Sequence, residues 1–135
     1  MRPIKTERRR FPRIEQNLPL KIGANGYDFV TYTHNVSCVG TYCRISKYIP
    51  PFTKVSIRLS LPISGEGREK KIHEVECEGV IVRAIDGKDG GFNIAVFFNR
   101  IKDIQLEKIS QYINQFIPKE SSSLQEARPF LKTNN

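Results

Sequence analysis

The 135-residue chain contains no tryptophan, two histidines and three cysteines. The cysteines, Cys38, Cys43 and Cys77, form no CxxC pair and no disulfide framework, and so few histidines do not favour a zinc site. No apolar run approaches the roughly 20 residues that span a bilayer, and no apolar signal core stands at the N-terminus. We therefore expect a cytoplasmic protein with no membrane insertion and no metal or other cofactor.

Enzyme motifs are also missing from the sequence. It has no GxSxG, no Walker phosphate loop, no HExxH and no glycine-rich fingerprint after a predicted strand. The stretch 87–91 has the composition of a phosphate loop but lacks its spacing, so a hairpin turn explains it. His34 and His73 fall in strand-like segments without a neighbouring acid and nucleophile. These absences predict that the protein is not an enzyme.

The positive charge is concentrated at one end of the chain. The formal net charge is +8, and residues 1–13 contribute +5 of it because six basic residues stand there against one glutamate. The remaining 122 residues are nearly balanced at +3. A short basic segment beside a balanced body indicates a local anionic partner, and phosphate, nucleic acid and acidic lipid all fit that description.

Hydrophobic periodicity divides the chain into four regions. Residues 1–13 are predicted to form a basic arm, since prolines flank the basic stretch and favour extended backbone. Residues 14–100 hold about six short apolar segments between turn formers, which predicts a small antiparallel barrel or sandwich. Residues 101–117 carry apolar side chains at three- and four-residue steps, as in an amphipathic helix. Residues 118–135 are polar and serine-rich, which predicts a flexible tail.

The predicted strands differ in how clearly they alternate. Val55, Ile57, Leu59 and Leu61 give the cleanest alternation, and Pro62 is expected to end that strand. The apolar segments are Leu18–Ile22, Tyr27–Thr33, Cys38–Ile45, Val55–Leu61, Val75–Ile85 and Phe92–Phe98. The first two are separated by residues 23–26, Gly-Ala-Asn-Gly, which predicts a hairpin.

Two arginines of the arm have a spacing suited to phosphates. Arg9 and Arg13 lie four residues apart, and in extended backbone such residues point to the same side, roughly 13 Å apart. Two guanidinium groups placed so can hold two phosphates bidentately, or hold one phosphate and stack on a base. On charge alone, however, a solvated arm is the simpler explanation.

A polar motif follows at the start of a predicted strand, where Asn35 to Gly40 reads N-x-S-x-x-G. Asn35 and Ser37 offer short polar groups that can contact a base edge or a phosphate. Gly40 has no side chain, so either a bulge or a close ligand fits there. Taken alone, this string is ordinary turn chemistry.

Together the two motifs resemble those of the PilZ domain family, the bacterial receptors for cyclic di-GMP. Its members carry R-x-x-x-R in an N-terminal arm and D/N-x-S-x-x-G a few tens of residues later. Gly79–Arg83 and Ile94–Phe98 resemble the family's late G-x-V-x-R strand and its closing strand, so the likeness extends over about residues 7–117. It implies a mostly β fold, a six-stranded antiparallel β-barrel with one C-terminal α-helix.

The resemblance also implies how the ligand is held. Arg9 and Arg13 would grip the phosphates and stack against guanine. Asn35 and Ser37 would hydrogen-bond the second guanine and its backbone, and Gly40 would leave room for it. Asn35 stands where the family more often has Asp, and it lacks the charge that could pair with a guanine N–H edge.

Arg8 immediately precedes the first motif. In the family, an arginine at this position accompanies binding of an intercalated ligand pair. The resemblance therefore implies two cyclic di-GMP molecules per protomer, whereas the residue on its own is equally explained as a solvated side chain.

The resulting hypothesis is a bacterial cyclic di-GMP receptor whose arm becomes ordered on binding ligand and which signals to a downstream protein. One alternative is a PilZ-like adaptor that needs no ligand, although loss of the arm arginines would be its sign and they are present. A second is a nucleic-acid-binding barrel that stacks bases on Tyr27, Phe29 and Tyr32. Phe29 is out of step with an exposed stacking face, so the sequence disfavours a nucleic-acid partner.

Overall fold

The computed structural model describes residues 11–64 and 69–117, which form six strands and one helix. They are β1 (Pro19–Ala24), β2 (Tyr27–Val36), β3 (Gly40–Ile45), β4 (Lys54–Ser64), β5 (Lys70–Asp86), β6 (Phe92–Arg100) and α1 (Asp103–Asn114). All paired strands are antiparallel, and the order β1-β2-β3-β6-β5-β4 returns from β4 to β1 as a closed barrel. The expected six-stranded antiparallel fold with one C-terminal helix is confirmed.

The alternating side chains of β4 form one wall of the core. Val55, Ile57, Leu59 and Leu61 are all buried, as the sequence pattern predicts. The prediction that Pro62 ends this strand is wrong, because β4 continues to Ser64. Proline is tolerated there because β4 pairs with β1 only from Ser56 to Leu59, so Pro62 has a neighbouring strand on one side only.

The ladders that close the barrel are unequal in length. β4 pairs with β5 over eleven residue pairs, whereas β4 pairs with β1 over four. The four-pair ladder between residues 20–23 and 56–59 is called the seam below. β1 and β2 are joined by Asn25-Gly26, whose φ angles of 54° and 83° are those of a type I′ turn.

Helix α1 packs against β4 and β5. Ile109, Tyr112 and Ile113 are buried, at the three- and four-residue steps that the sequence predicts. At the exposed edge of this contact, the Oε1 atom of Gln105 accepts a hydrogen bond from the backbone N–H of Glu76 at 3.1 Å. Residues 1–10 and the predicted tail lie outside the described residues, so the division into arm, barrel, helix and tail stays a prediction.

Candidate ligand-binding cleft

A cleft of about 410 Å³ opens on the outer surface of the barrel, where the N-terminal segment meets four strands. Its lining comprises Arg13, Asn35, Ser37, Val39, Gly40, Thr41, Tyr42, Val82, Arg83, Ala95, Val96 and Phe97. Four of the six predicted ligand residues are therefore in one place: Arg13, Asn35, Ser37 and Gly40. The other two, Arg8 and Arg9, lie outside the described residues.

A backbone bridge places Arg13 beside the second motif. Ile14 and Val36 each donate an N–H to the other's carbonyl oxygen, with both N···O distances at 3.0 Å. Arg13 directly precedes Ile14 on one side of the bridge, and Asn35 and Ser37 flank Val36 on the other side. The sequence could not show this pairing, because Ile14 lies outside both motifs and Val36 occupies a position of the second motif that any residue can fill.

Buried Thr33 fixes the chain that follows the bridge. Its hydroxyl accepts a hydrogen bond from the N–H of Leu18 at 2.9 Å and donates one to the carbonyl of Gln16. The side-chain amide of Asn17 adds a bond to the carbonyl of Thr33 at 2.7 Å. Residues 14–18 are thus held along β2, and the segment that carries Arg13 starts from a fixed base.

Asn35 lines the cleft because β2 contains a bulge. Thr33 pairs with Cys43, but Asn35 pairs with Tyr42, so His34 has no partner in the ladder. In a regular strand Thr33 and Asn35 would share a face. Thr33 is buried in the core while Asn35 is half-buried in the cleft, so the extra residue has turned Asn35 outward.

Ser37 closes the turn between β2 and β3. Its backbone N–H bonds to the carbonyl of Gly40 at 2.9 Å, and its Oγ atom accepts the N–H of Val39 at 3.2 Å. The residue is buried, so part of its hydrogen-bonding capacity serves the turn. Its role towards a ligand stays a prediction.

Gly40 has a packing role in the fold, and its expected role of leaving room for a ligand stays a prediction. A Cβ atom at this position would collide with the backbone carbonyl oxygen of Val96 on β6. The bulge in this region is at His34, and the close approach at Gly40 is that of a neighbouring strand. Gly40 therefore allows β3 and β6 to pair at the floor of the cleft.

Comparison with protein families decides which fold family this is. The profile of the PilZ domain matches residues 7–115. The chain belongs to the PilZ domain family. The match spans both motifs and all six strands, and it includes the arm residues that precede Phe11.

Two solved structures show the same fold. The Bacillus subtilis inhibitor of motility, MotI/DgrA, is 16% identical in sequence and superposes with a TM-score of 0.69 over 80% of this chain. This chain spans 50% of the MotI/DgrA chain. The PilZ domain of Escherichia coli YcgR, solved with c-di-GMP, is 13% identical, with a TM-score of 0.56 over 91% of this chain and 99% of its own. Comparison with curated proteins finds no match.

Sequence reasoning assigned no role to three residues that line the PilZ cleft. In the sequence Arg83 is only the end of a strand motif, whereas in the structure it lines the same cleft as Arg13. Tyr42 and Phe97 supply rings to its lining, and the ring of Tyr42 also lies 6.3 Å from that of His34. The arginine that ends Gly79–Arg83 was the one signal that could have pointed to this wall.

A larger groove of about 750 Å³ lies elsewhere on the barrel and shares no lining residue with the cleft. It carries both signs of charge, and two ion pairs join its lining residues. Arg58 meets Glu76 at 2.8 Å, and Arg100 meets Glu78 at 3.8 Å. The groove lining holds four basic and three acidic side chains, whereas the cleft lining holds two arginines and no acid, so the groove is a poorer site for an anion than the cleft.

The cysteines lack the environment of reactive thiols. Burial raises the pKa of Cys43 and Cys77 to about 12, and for Cys77 the charge of Glu78 acts in the same direction. Burial also raises the pKa of Cys38, against a smaller opposing effect of a hydrogen bond with Ser110.

Within residues 11–64 and 69–117, no group of three or more His, Cys, Asp or Glu side chains could hold a metal ion. The helix of this described part is too short to cross a membrane.

Proposed function

We propose that this protein is a receptor for cyclic di-GMP, bound in the cleft between the N-terminal arm and the Asn35–Gly40 segment. One observation carries the proposal. The Ile14–Val36 bridge brings Arg13 of the first motif into the same cleft as Asn35 and Ser37 of the second. The cleft volume of about 410 Å³ lies within the range of small-molecule sites.

The chemistry of the cleft suits a compact dinucleotide with two phosphates and two purines. Arg13 offers a guanidinium for bidentate phosphate contact, and the expected roles of Arg8 and Arg9 extend that positive edge. Tyr42 and Phe97 offer apolar and aromatic surface for a base. A few charge-assisted hydrogen bonds and one stacking contact, less the cost of ordering the arm, correspond to about micromolar affinity.

Ordering of the arm is the signalling step that we propose. The described chain is fixed as far back as Ile14, so ligand bridging Arg13 to β2 would draw the preceding arm against the barrel. The ordered arm and ligand would then present a new surface to a downstream protein. On this proposal the protein is a cytoplasmic, non-enzymatic receptor without membrane insertion.

The comparison structures support the proposal through the fold. The YcgR domain shows that this fold accommodates c-di-GMP in that protein. MotI/DgrA is an inhibitor of motility, which makes motility one candidate output of the present protein. The partner of the present protein is not assigned by this likeness.

The test is isothermal titration of cyclic di-GMP into the full chain. We expect saturable binding near micromolar Kd, lost in Arg13→Ala and weakened at least tenfold in Asn35→Ala because each substitution removes one side of the cleft. Arg100→Ala is the matched control, since Arg100 is a strand arginine outside the cleft. No binding by the intact, folded protein would overturn the proposal. A stoichiometry of two that falls to one in Arg8→Ala would support the expected role of Arg8.

A further inference from the structure

Arg83 faces the cleft because of a second bulge. Ile81 pairs with Val96 and Arg83 pairs with Ala95, so Val82 has no partner in the β5–β6 ladder. In a regular strand Ile81 and Arg83 would share a face, and Ile81 is fully buried. The extra residue instead turns Arg83 outward, where it lines the cleft.

A β-bulge therefore determines which side chain lines the cleft on each of two strands, β2 and β5. On β2 the bulge at His34 turns Asn35 outward, and on β5 the bulge at Val82 turns Arg83 outward. β-Bulges often lie next to binding sites, where the extra residue changes the direction in which a side chain points. Two of them, on separate strands and converging on one cleft, indicate that Arg83 is placed there for contact with what the cleft binds.

The guanidinium of Arg83 is uncommitted within the described residues. Each of the other three strand arginines has a partner there: Arg44 donates to the carbonyl of Gly90, Arg58 pairs with Glu74 and Glu76, and Arg100 pairs with Glu78. In residues 11–64 and 69–117 the side chain of Arg83 has no ion pair or hydrogen bond. Its five N–H donors are thus available to a ligand.

The neighbours of Arg83 favour a base over a phosphate at this wall. Val82, Ala95 and Phe97 line the cleft beside it and offer apolar surface that suits the face of a purine. A guanidinium beside such apolar surface would meet the edge of a base that packs on it. The O6 and N7 atoms of guanine are paired acceptors that fit the arginine fork, whereas adenine presents an amino donor in place of O6.

We infer that Arg83 is a specificity-determining residue that reads the O6/N7 edge of one guanine of the dinucleotide and discriminates against adenine. This inference rests on the proposed function. It adds a barrel-borne guanine contact to the contacts expected from the arm and the Asn35–Gly40 segment.

The test compares cyclic di-GMP with cyclic di-AMP on the full chain and on Arg83→Ala, Arg83→Lys and Arg100→Ala. We expect Arg83→Ala to weaken cyclic di-GMP binding about 10- to 100-fold, as for loss of a bidentate base contact. Arg83→Lys should weaken it similarly, because lysine keeps the charge but loses the fork. Both variants should lose most of the preference over cyclic di-AMP, and Arg100→Ala should retain it. Thermal unfolding checks that each variant is folded.

The outcomes separate this inference from the proposed function. If the unaltered protein does not bind cyclic di-GMP, the proposed function itself fails. If it binds, and Arg83→Ala binds with the same affinity and preference, Arg83 has no role in recognition. If Arg83→Lys restores both affinity and preference, the side chain acts as a charge near a phosphate, and the guanine-reading role is wrong.

Discussion

Ile14 and Val36 donate their backbone N–H groups to each other's carbonyl oxygens, at 3.0 Å in both directions. This one pair forms an isolated antiparallel bridge between the chain before β1 and the end of β2. It joins the two polar motifs, which the sequence separates by more than twenty residues. The bridge involves backbone atoms only, so its consequences are best tested through side chains that hold it in place.

Thr33 is the most direct of these side chains. Thr33→Val keeps the shape but leaves the N–H of Leu18 and the carbonyl of Gln16 without their partner, and we expect a loss of about 2 kcal/mol in the free energy of unfolding. Ligand affinity should fall as well, because the base of the arm loosens. Urea unfolding and calorimetric titration measure the two effects.

Thr31→Val is the matched control for that experiment. Thr31 lies on the same strand and donates its hydroxyl to the carbonyl of Arg44 at 2.6 Å, and within the described residues its side chain makes no hydrogen bond to residues 14–18. It should cost about 1 kcal/mol of stability and leave ligand affinity unchanged. Equal effects of the two variants on affinity would show that Thr33 acts only through stability.

Gly40 is predicted to matter for folding before it matters for binding. In Gly40→Ala the new methyl group meets the backbone of Val96, which cannot move without separating β3 from β6. We expect the ligand-free protein to lose about 1–3 kcal/mol of stability. Gly23→Ala is the control, since its methyl would meet the side chain of Ser56, which can rotate away. Normal stability in Gly40→Ala with loss of binding alone would contradict this explanation.

Movement of the arm can be followed by fluorescence because the chain has no tryptophan. Phe11→Trp puts the reporter two residues before Arg13, and we expect ligand to shift its emission to the blue as the arm packs on the barrel. Phe116→Trp, near the end of the described chain beyond α1, should show no shift. A ligand that binds Phe11→Trp by calorimetry without changing its emission would rule out ordering of the arm at this point.

The buried thiols predict how stability depends on pH. In the folded protein, burial raises the pKa of Cys43 to about 12, against 9.0 for an ordinary thiol. Between pH 9 and pH 12, unfolding therefore releases this proton, so the free energy of unfolding falls as the pH rises. The stabilising contribution is complete below pH 9 and is lost as the pH rises to 12. In Cys43→Ala the free energy of unfolding should fall less steeply across this range. Identical slopes would contradict the assigned burial effect.

The sequence predicted the parts of this protein that follow a regular period. Alternation located the wall of β4, and three- and four-residue steps located α1. The cleft residues Arg13, Asn35, Ser37 and Gly40 came from motif resemblance, and they do lie together. Their role towards a ligand stays a prediction.

The position of Arg83 could not be predicted from the alternation of side chains along a strand. Strict alternation places it on the same face as Ile81, inside the barrel, and a bulge at Val82 reverses that placement. The residue types around Val82 do not predict a bulge there, since the bulge arises from how β5 and β6 align. The same limit applies to Pro62, whose place inside β4 depends on where β1 stops pairing.

The seam between β1 and β4 has a kinetic consequence. Residues 54–86 form a local hairpin with the longest ladder, whereas the seam joins distant parts of the chain through four pairs, so we expect it to form late in folding and to open first. In the ring the seam lies opposite the cleft, which draws its strands from β2, β3, β5 and β6. Backbone amides at Leu20–Gly23 and Ser56–Leu59 that face the seam should therefore exchange with deuterium fastest among paired amides. Slower exchange there than in the β4–β5 ladder would contradict this order of opening.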